Sequence, residues 1–352
     1  ALMPRLIDVT VPVGTISLGI SAFSGCANLT TVTLPNSLKT LGRYVFANCT
    51  ALESIVLPNS VSTIGASAFY NCTNLTSVNF PLSWTTVDDY NGGNIFMGCV
   101  KLTSITVPEG VTAIPKYAFE DCNYLQTVKL PSTLETIGSY AFTKCVALKD
   151  VQLSDAVSLT AIHDCAFSEC SALDNVTVPV GTISLGISAF SSCTKLTDIS
   201  LPDGLKTLGR YVFANCTALE NIVLPDSVST IGAYAFSGCA KLRSVNFPLS
   251  WTTVDDYNGG NIFTGCVKLT SITVPEGVTA IPRYAFEDCN YLKTVVLPST
   301  LTTIGASAFA GCSNLRYIAV PYATTSIGNS AFANCGMLRL LYMPTVRDVT
   351  RL

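Results

Sequence analysis

Catalysis and metal binding need acids, bases and nucleophiles brought within reach of one another, and this chain is poor in the most versatile of them. It holds one histidine, His163, so Ser/His/Asp and Cys/His arrangements have a single base to draw on and multi-histidine metal sites are excluded. Cysteine is the alternative nucleophile and ligand, and there are fifteen. They stand at 26, 49, 72, 99, 122, 145, 165, 170, 193, 216, 239, 266, 289, 312 and 335. With Cys165 set aside, successive spacings are 23 residues except for two of 27 and one of 25. No C-x-x-C occurs, and a regular spacing strings the thiols along an axis instead of gathering them into a tetrahedron. Side chains in parallel register also point the same way, which disfavours disulfides between neighbours. The fourteen regular cysteines therefore read as buried core residues, and the chain as a non-enzyme without metal or cofactor.

Three departures from regularity are candidates for chemistry or contact. Cys165 takes the slot held elsewhere by Ser21, Tyr44, Ser67 or Tyr117, just before Ala-Phe, and is the candidate exposed thiol, against the plainer reading of a buried, inert one. His163 and Asp164 sit in the 25-residue spacing, where Leu153-Ser154-Asp155 replaces the usual Leu-Pro; this reads as a drifted junction, with no nucleophile and base assembled around it. The two 27-residue spacings carry Asp88-Asp89-Tyr90-Asn91-Gly92-Gly93-Asn94 and its letter-for-letter copy Asp255 to Asn261. Adjacent aspartates without a terminal bidentate glutamate do not match a calcium loop of the EF-hand kind. The insertions read instead as protruding Asn/Gly turns, making Asp88, Asp89, Tyr90, Asn91, Asp255, Asp256, Tyr257 and Asn258 candidate partner contacts. Trp84 and Trp251 align with the core position of Val61 and read as buried spacers.

The frame that positions these residues is a repeat. Each period follows C-x-x-L-x-x-[IV]-x-[LVF]-P-x-x-[VL]-x-x-[IL]-G-x-x-A-F-x-x-C, as from Cys49 to Cys72. A fixed period of this length marks a solenoid of about fourteen coils. A longer period overlies it: residue n matches n+167, and between Leu6–Cys145 and Leu173–Cys312 only 27 of 140 positions differ. The expectation is one solenoid over 1–352, with duplicated seven-coil blocks at 6–172 and 173–339 and a partial last coil at 336–352.

Within a coil, L-x-x-[IV]-x-[LVF]-P alternates and ends at proline, predicting a short strand, followed by a Pro-Asn-Ser or Pro-Glu-Gly turn. V-x-x-I-G predicts a second short strand whose glycine permits a reversal, and S/Y-A-F-x-x-C a single helical turn. The outward strand positions are small and polar, such as Thr31 and Thr33 or Ser77 and Asn79, and become apolar and aromatic toward Tyr317 and Tyr342. Thr31, Thr33, Tyr317 and Tyr342 are thus further candidate partner contacts.

Composition narrows the partners. Hydrophobic residues make up 49% against 12% charged, and the net charge is −3 with no basic block, so nucleic acid is excluded as a partner. No apolar run approaches the roughly 18 residues a membrane helix needs. Neither end carries a polar capping module, so the chain reads as a fragment of a longer protein or as one whose ends stack on something, end-to-end homo-association included.

The coil pattern, best seen from Cys122 to Cys145 and from Cys289 to Cys312, resembles the BspA-like family of leucine-rich repeats found in bacterial and protist surface proteins. That resemblance implies a leucine-rich repeat solenoid, α/β or mainly β, forming a curved right-handed coil with a parallel concave sheet, short convex strands and single helical turns. It further implies extracellular display and adhesion to protein or glycan on a host or neighbouring cell. The alternative is a self-assembling subunit of a surface layer or fibre.

Overall fold

The computed structural model describes residues 3, 5–81, 86–88, 93–247, 253–254, 260–342 and 348–349. Thirty short strands, two to a turn, build a parallel-strand β-solenoid of about fourteen turns with almost no helix. The chain divides into two compact units, Ala1–Leu173 and Asp174–Leu352.

In the first unit the row of first strands is β1 (Asp8–Thr10), β3 (Thr31–Thr33), β5 (Ser54–Ile55), β7 (Ser77–Val78), β9 (Ser104–Thr106), β11 (Thr127–Lys129) and β13 (Asp150–Gln152). Between them come the second strands β2 (Ser17–Leu18), β4 (Thr40–Leu41), β6 (Thr63–Gly65), β8 (Thr86–Asp88), β10 (Ala113–Ile114), β12 (Thr136–Ile137) and β14 (Ala161–Ile162). Equivalent residues pair in parallel, Asp8 with Thr31 and Leu41 with Ile64, so the 23-residue period becomes the ladder register.

The second unit repeats the plan. Its first strands are β15 (Asn175–Thr177), β17 (Asp198–Ser200), β19 (Asn221–Ile222), β21 (Ser244–Val245), β23 (Ser271–Thr273), β25 (Thr294–Val296), β27 (Tyr317–Ala319) and β29 (Leu340–Tyr342). Its second strands are β16 (Ser184–Leu185), β18 (Thr207–Leu208), β20 (Thr230–Ile231), β22 (Thr253–Val254), β24 (Ala280–Ile281), β26 (Thr303–Ile304), β28 (Ser326–Ile327) and β30 (Asp348–Val349).

The core is a set of stacked identical side chains. In the first unit Phe23, Phe46, Phe69, Phe96, Phe119, Phe142 and Phe167 form a column with centroids 5.2–5.6 Å apart. A second column runs from Phe190 to Phe332. Leucines such as Leu52, Leu75 and Leu102 and the regular cysteines from Cys26 to Cys312 fill the space beside the rings at 0% exposure, with Cys335 in the last coil half-buried. Such close packing is why no coil needs a long element to be stable: each buries its apolar side chains against the next.

The segment around Ala-Phe differs from the expected helical turn. In all fourteen coils two residues four apart have positive φ, as Tyr44 (55°) with Asn48 (60°) and Cys165 (55°) with Glu169 (61°). This left-handed backbone interrupts helix propagation every fourth residue. The amides then alternate in direction: Ser21, Phe23 and Gly25 donate to Arg43, Val45 and Ala47 of the next coil, while Ala22, Ser24 and Cys26 close turns onto Gly19, Ser21 and Phe23. The segment thereby becomes a third intercoil ladder, and those bonds offset the strain at the non-glycine positions. The only helical element among the described residues is a 3₁₀ turn at Leu153–Asp155, where Leu-Pro is lost.

The glycine ending the second strand does not serve a reversal either. A Cβ on Gly65 would lie 2.5 Å from Arg43 N and 2.6 Å from Gly42 C, so the residue is small because the preceding coil's backbone occupies that space.

Candidate functional site

Of the residues singled out in the sequence, Asp89, Tyr90, Asn91, Asp255, Asp256, Tyr257, Asn258, Trp84 and Trp251 lie outside the described residues. Asp88 ends β8, paired with Gly65. Cys165 is half-buried and hydrogen-bonded to the Tyr140 hydroxyl, which raises the tyrosine's pKa, while its carbonyl accepts from Thr143 Oγ1. His163 is exposed. Tyr317 and Tyr342 are exposed on neighbouring strands, paired with Leu340 and Ala319 respectively.

The regular cysteines are thiols, and twelve of the fourteen donate to a phenylalanine carbonyl one coil back, as Cys72 to Phe46 at 3.1 Å and Cys239 to Phe213 at 3.2 Å. Burial pushes the pKa of many of them up, to about 12 for Cys49 and Cys216, which removes the thiolate that nucleophilic or ligand chemistry would need at those positions. Among the described residues no group of three or more His, Cys, Asp or Glu is placed to hold a metal, and no helix is long and apolar enough to cross a membrane.

What remains is the outward face of the first strands. Thr31 and Thr33 are exposed on β3, flanking half-buried Val32. Asn79 and Asn246 are also outward, but their amides are committed: Leu57 N–H donates to Asn79 Oδ1 at 2.7 Å, and Asn79 Nδ2 donates to Leu57 O at 2.8 Å, with Asn246 and Leu224 matching them. The amide substitutes for the peptide of a continuing strand at the point where the chain leaves for its 27-residue coil.

Beside these clamps the face opens. The first-strand ladder of the first unit is not continuous but falls into β1–β3, β5–β7 and β9–β11–β13; that of the second unit breaks at the equivalent places, after β17 and after β21. In five paired coils the valine just past the strand donates across, as Val11 N–H to Thr33 O and Val107 N–H to Lys129 O, whereas Leu130 and Leu297 past other paired strands do not. No such bond runs from Leu34 N–H to Val56 O or from Leu201 N–H to Val223 O. Between β3 and β5 lies a groove of ≈ 380 Å³ lined by Thr31, Thr33, Asn36, Ser54, Val56 and Pro58 among others. Its counterpart between β17 and β19, ≈ 260 Å³, is lined by Asp198, Ser200, Asp203, Asn221, Val223 and Pro225 with the strand aliphatics. Val56 and Val223, each one residue past its strand, are both 74% exposed, the same state in both copies. Thr31 and Thr33 thus lie together in one groove; Tyr317 and Tyr342 are on other strands. Sequence reasoning placed these outward residues but not the break, because β3 and β5 obey the same Leu-x-x-hydrophobic pattern as their unbroken neighbours.

Short parallel strands stacked on a leucine, phenylalanine and cysteine core define the class as a leucine-rich repeat solenoid with an open strand face. The sequence profile described as "BspA type Leucine rich repeat region (6 copies)" matches residues 3–91, 92–220, 156–258 and 259–350. The chain belongs to the BspA-type leucine-rich repeat family. It is similar to the structure of a leucine-rich repeat protein from Bacteroides ovatus, at 30% identity and TM-score 0.75 over 99% of this chain and 83% of that one. It is also similar to a leucine rich cell surface protein from Faecalibacterium prausnitzii, at 27% identity and TM-score 0.50 over 97% and 88%. A leucine-rich repeat protein from Eubacterium ventriosum shares the fold, at 23% identity and TM-score 0.53 over 94% and 83%. No curated protein sequence matches the chain. Proteins with these repeats are typically non-enzymatic, and membership indicates a binding or adhesion role in general terms.

Proposed function

We propose that the chain is a non-enzymatic binding module displayed outside the cell, engaging protein or glycan partners through the outward face of its first strands and its two insertion loops. The observation that carries this reading is the pair of equivalent grooves, where a strand ladder opens and leaves an exposed valine and unpaired backbone groups. Open ladder edges and exposed aliphatics are what an extended partner segment needs. The chemistry of the chain supports binding over catalysis, since thirteen of its fifteen thiols are buried and its one histidine stands exposed.

The test is adhesion of beads coated with the full chain to intact epithelial cells, against beads carrying a Val56→Asp/Val223→Asp variant. Both substitutions are at exposed positions and leave the core intact. Loss of attachment with unchanged thermal unfolding supports the reading. Equal attachment by the variant beads contradicts it.

A further inference from the structure

The two grooves share one backbone but not one surface. Over the duplicated blocks 27 of 140 positions differ, yet among the ten residues lining the first groove five are changed in the second, at 31, 32, 33, 36 and 54. By contrast, residues 77–115 differ from their copies at position 97 alone. The changes are directional in charge. Thr31 becomes Asp198 and Asn36 becomes Asp203, so a groove with no charged lining residue has a counterpart carrying two carboxylates. Both aspartates are exposed, and neither forms an ion pair with any described residue.

From the reading of this face as the binding surface, we infer that the second-unit groove takes the lysine or arginine side chain of an extended protein segment, while the first-unit groove takes a neutral one. The lining matches such a side chain along its length. Leu201, Ile222, Val223 and Pro225 offer an aliphatic bed for a methylene stem, and Asp198 and Asp203 stand where the cationic head would emerge. The unpaired Leu201 N–H provides a donor for the segment's backbone. An amino sugar would satisfy the carboxylates, but no aromatic ring lines the groove for a pyranose to stack on, which favours a peptide. The duplicated scaffold thus carries two sites of different specificity, so that a partner presenting one neutral and one basic segment gains from both at once.

The test uses the full chain and a labelled heptapeptide, Thr-Ser-Val-Lys-Val-Ser-Thr, with its Gln-centred twin, read by fluorescence polarisation at low and moderate salt. The Lys peptide should bind the native chain tighter than the Gln peptide by about tenfold at low salt, and less so as salt rises. Asp198→Thr/Asp203→Asn, which installs the residues the first groove already tolerates, should remove that preference. Thr31→Asp/Asn36→Asp should raise the number of Lys-peptide sites from one to two. Equal binding of both peptides by the native chain, a preference that survives the double replacement, or stronger competition by a glucosamine oligomer than by unlabelled Lys peptide would overturn the inference. Equal binding that is nevertheless lost in Val56→Asp/Val223→Asp would overturn only the charge assignment and leave the strand face as the binding surface; no binding by any variant would remove both.

Discussion

Asn79 grips Leu57 through both ends of its side-chain amide, accepting from Leu57 N–H at 2.7 Å and donating to Leu57 O at 2.8 Å, and Asn246 repeats the grip on Leu224 at 2.7 Å each way. In five other coils the first of these bonds is a backbone one, as from Val107 N–H to Lys129 O. The amide therefore closes off a strand end that the longer coil would otherwise leave unpaired next to the core, Leu57 being 1% exposed. Replacing it by an isosteric apolar group, Asn79→Leu, strands two buried peptide groups and should cost about 1–3 kcal/mol. Urea denaturation checks this; an unchanged midpoint would show that the clamp is dispensable.

Phe69 lies between Phe46 and Phe96 with centroids 5.6 and 5.3 Å away and is fully buried. Phe69→Ala opens a cavity in the middle of a column that cannot collapse, because the strand ladders hold the coil spacing. Its expected cost is about 3–5 kcal/mol. A loss below about 1 kcal/mol in a two-state unfolding fit would place the ring outside the structural core.

Lys144 holds a left-handed backbone, φ 60°, at the position its duplicate fills with Gly311. A side chain there is strained, and Lys144→Gly should stabilise the chain by about 1 kcal/mol despite glycine's greater freedom when unfolded. A rise in the urea midpoint is the expected result, and a fall would show that the Lys144 side chain contributes more than its backbone costs.

Acid sensitivity has an identifiable source at two turns. Glu109 accepts from the Ser132 amide and hydroxyl at 3.0 Å each, and Glu276 from those of Ser299 at 2.9 and 2.8 Å; the amide bonds, then the hydroxyl bonds, hold both carboxyls below their ordinary pKa. A carboxyl depressed on folding stabilises above its unfolded pKa, about 4.3, and that contribution is lost as pH falls through the folded value. Glu109→Gln/Glu276→Gln should therefore flatten the decline of stability below about pH 5 while leaving its neutral-pH slope alone. An acid limb as steep as that of the native chain would assign the sensitivity to other carboxylates.

The residues named in these tests also mark how far the sequence could be read. Leucine, phenylalanine and cysteine every 23 positions dictate which side chains stack, so the coil, its register and its core are legible without coordinates. The left-handed pairs are not, because Tyr-Ala-Phe has the composition of a helical turn and the alternation of Tyr44 and Asn48 emerges only from bonds to the neighbouring coil. The glycine of Ile64-Gly65 likewise looks like a turn residue until the backbone of Arg43 is seen against it. The grooves are least legible of all: β5 obeys the same pattern as β9, while the amide clamp beside the break reaches from Asn79, in the next coil, to Leu57.

The central claim is that the strand face opens at two equivalent places, and native-state amide hydrogen exchange resolved to single residues tests it most directly. The amides of Leu34 and Leu201, which lack the cross-strand bond, should exchange orders of magnitude faster than those of Val107 and Val274, which donate to Lys129 O and Val296 O at 3.0 Å. Equal protection at all four would mean that the ladder is continuous there and that the grooves, with the binding role built on them, do not exist in solution.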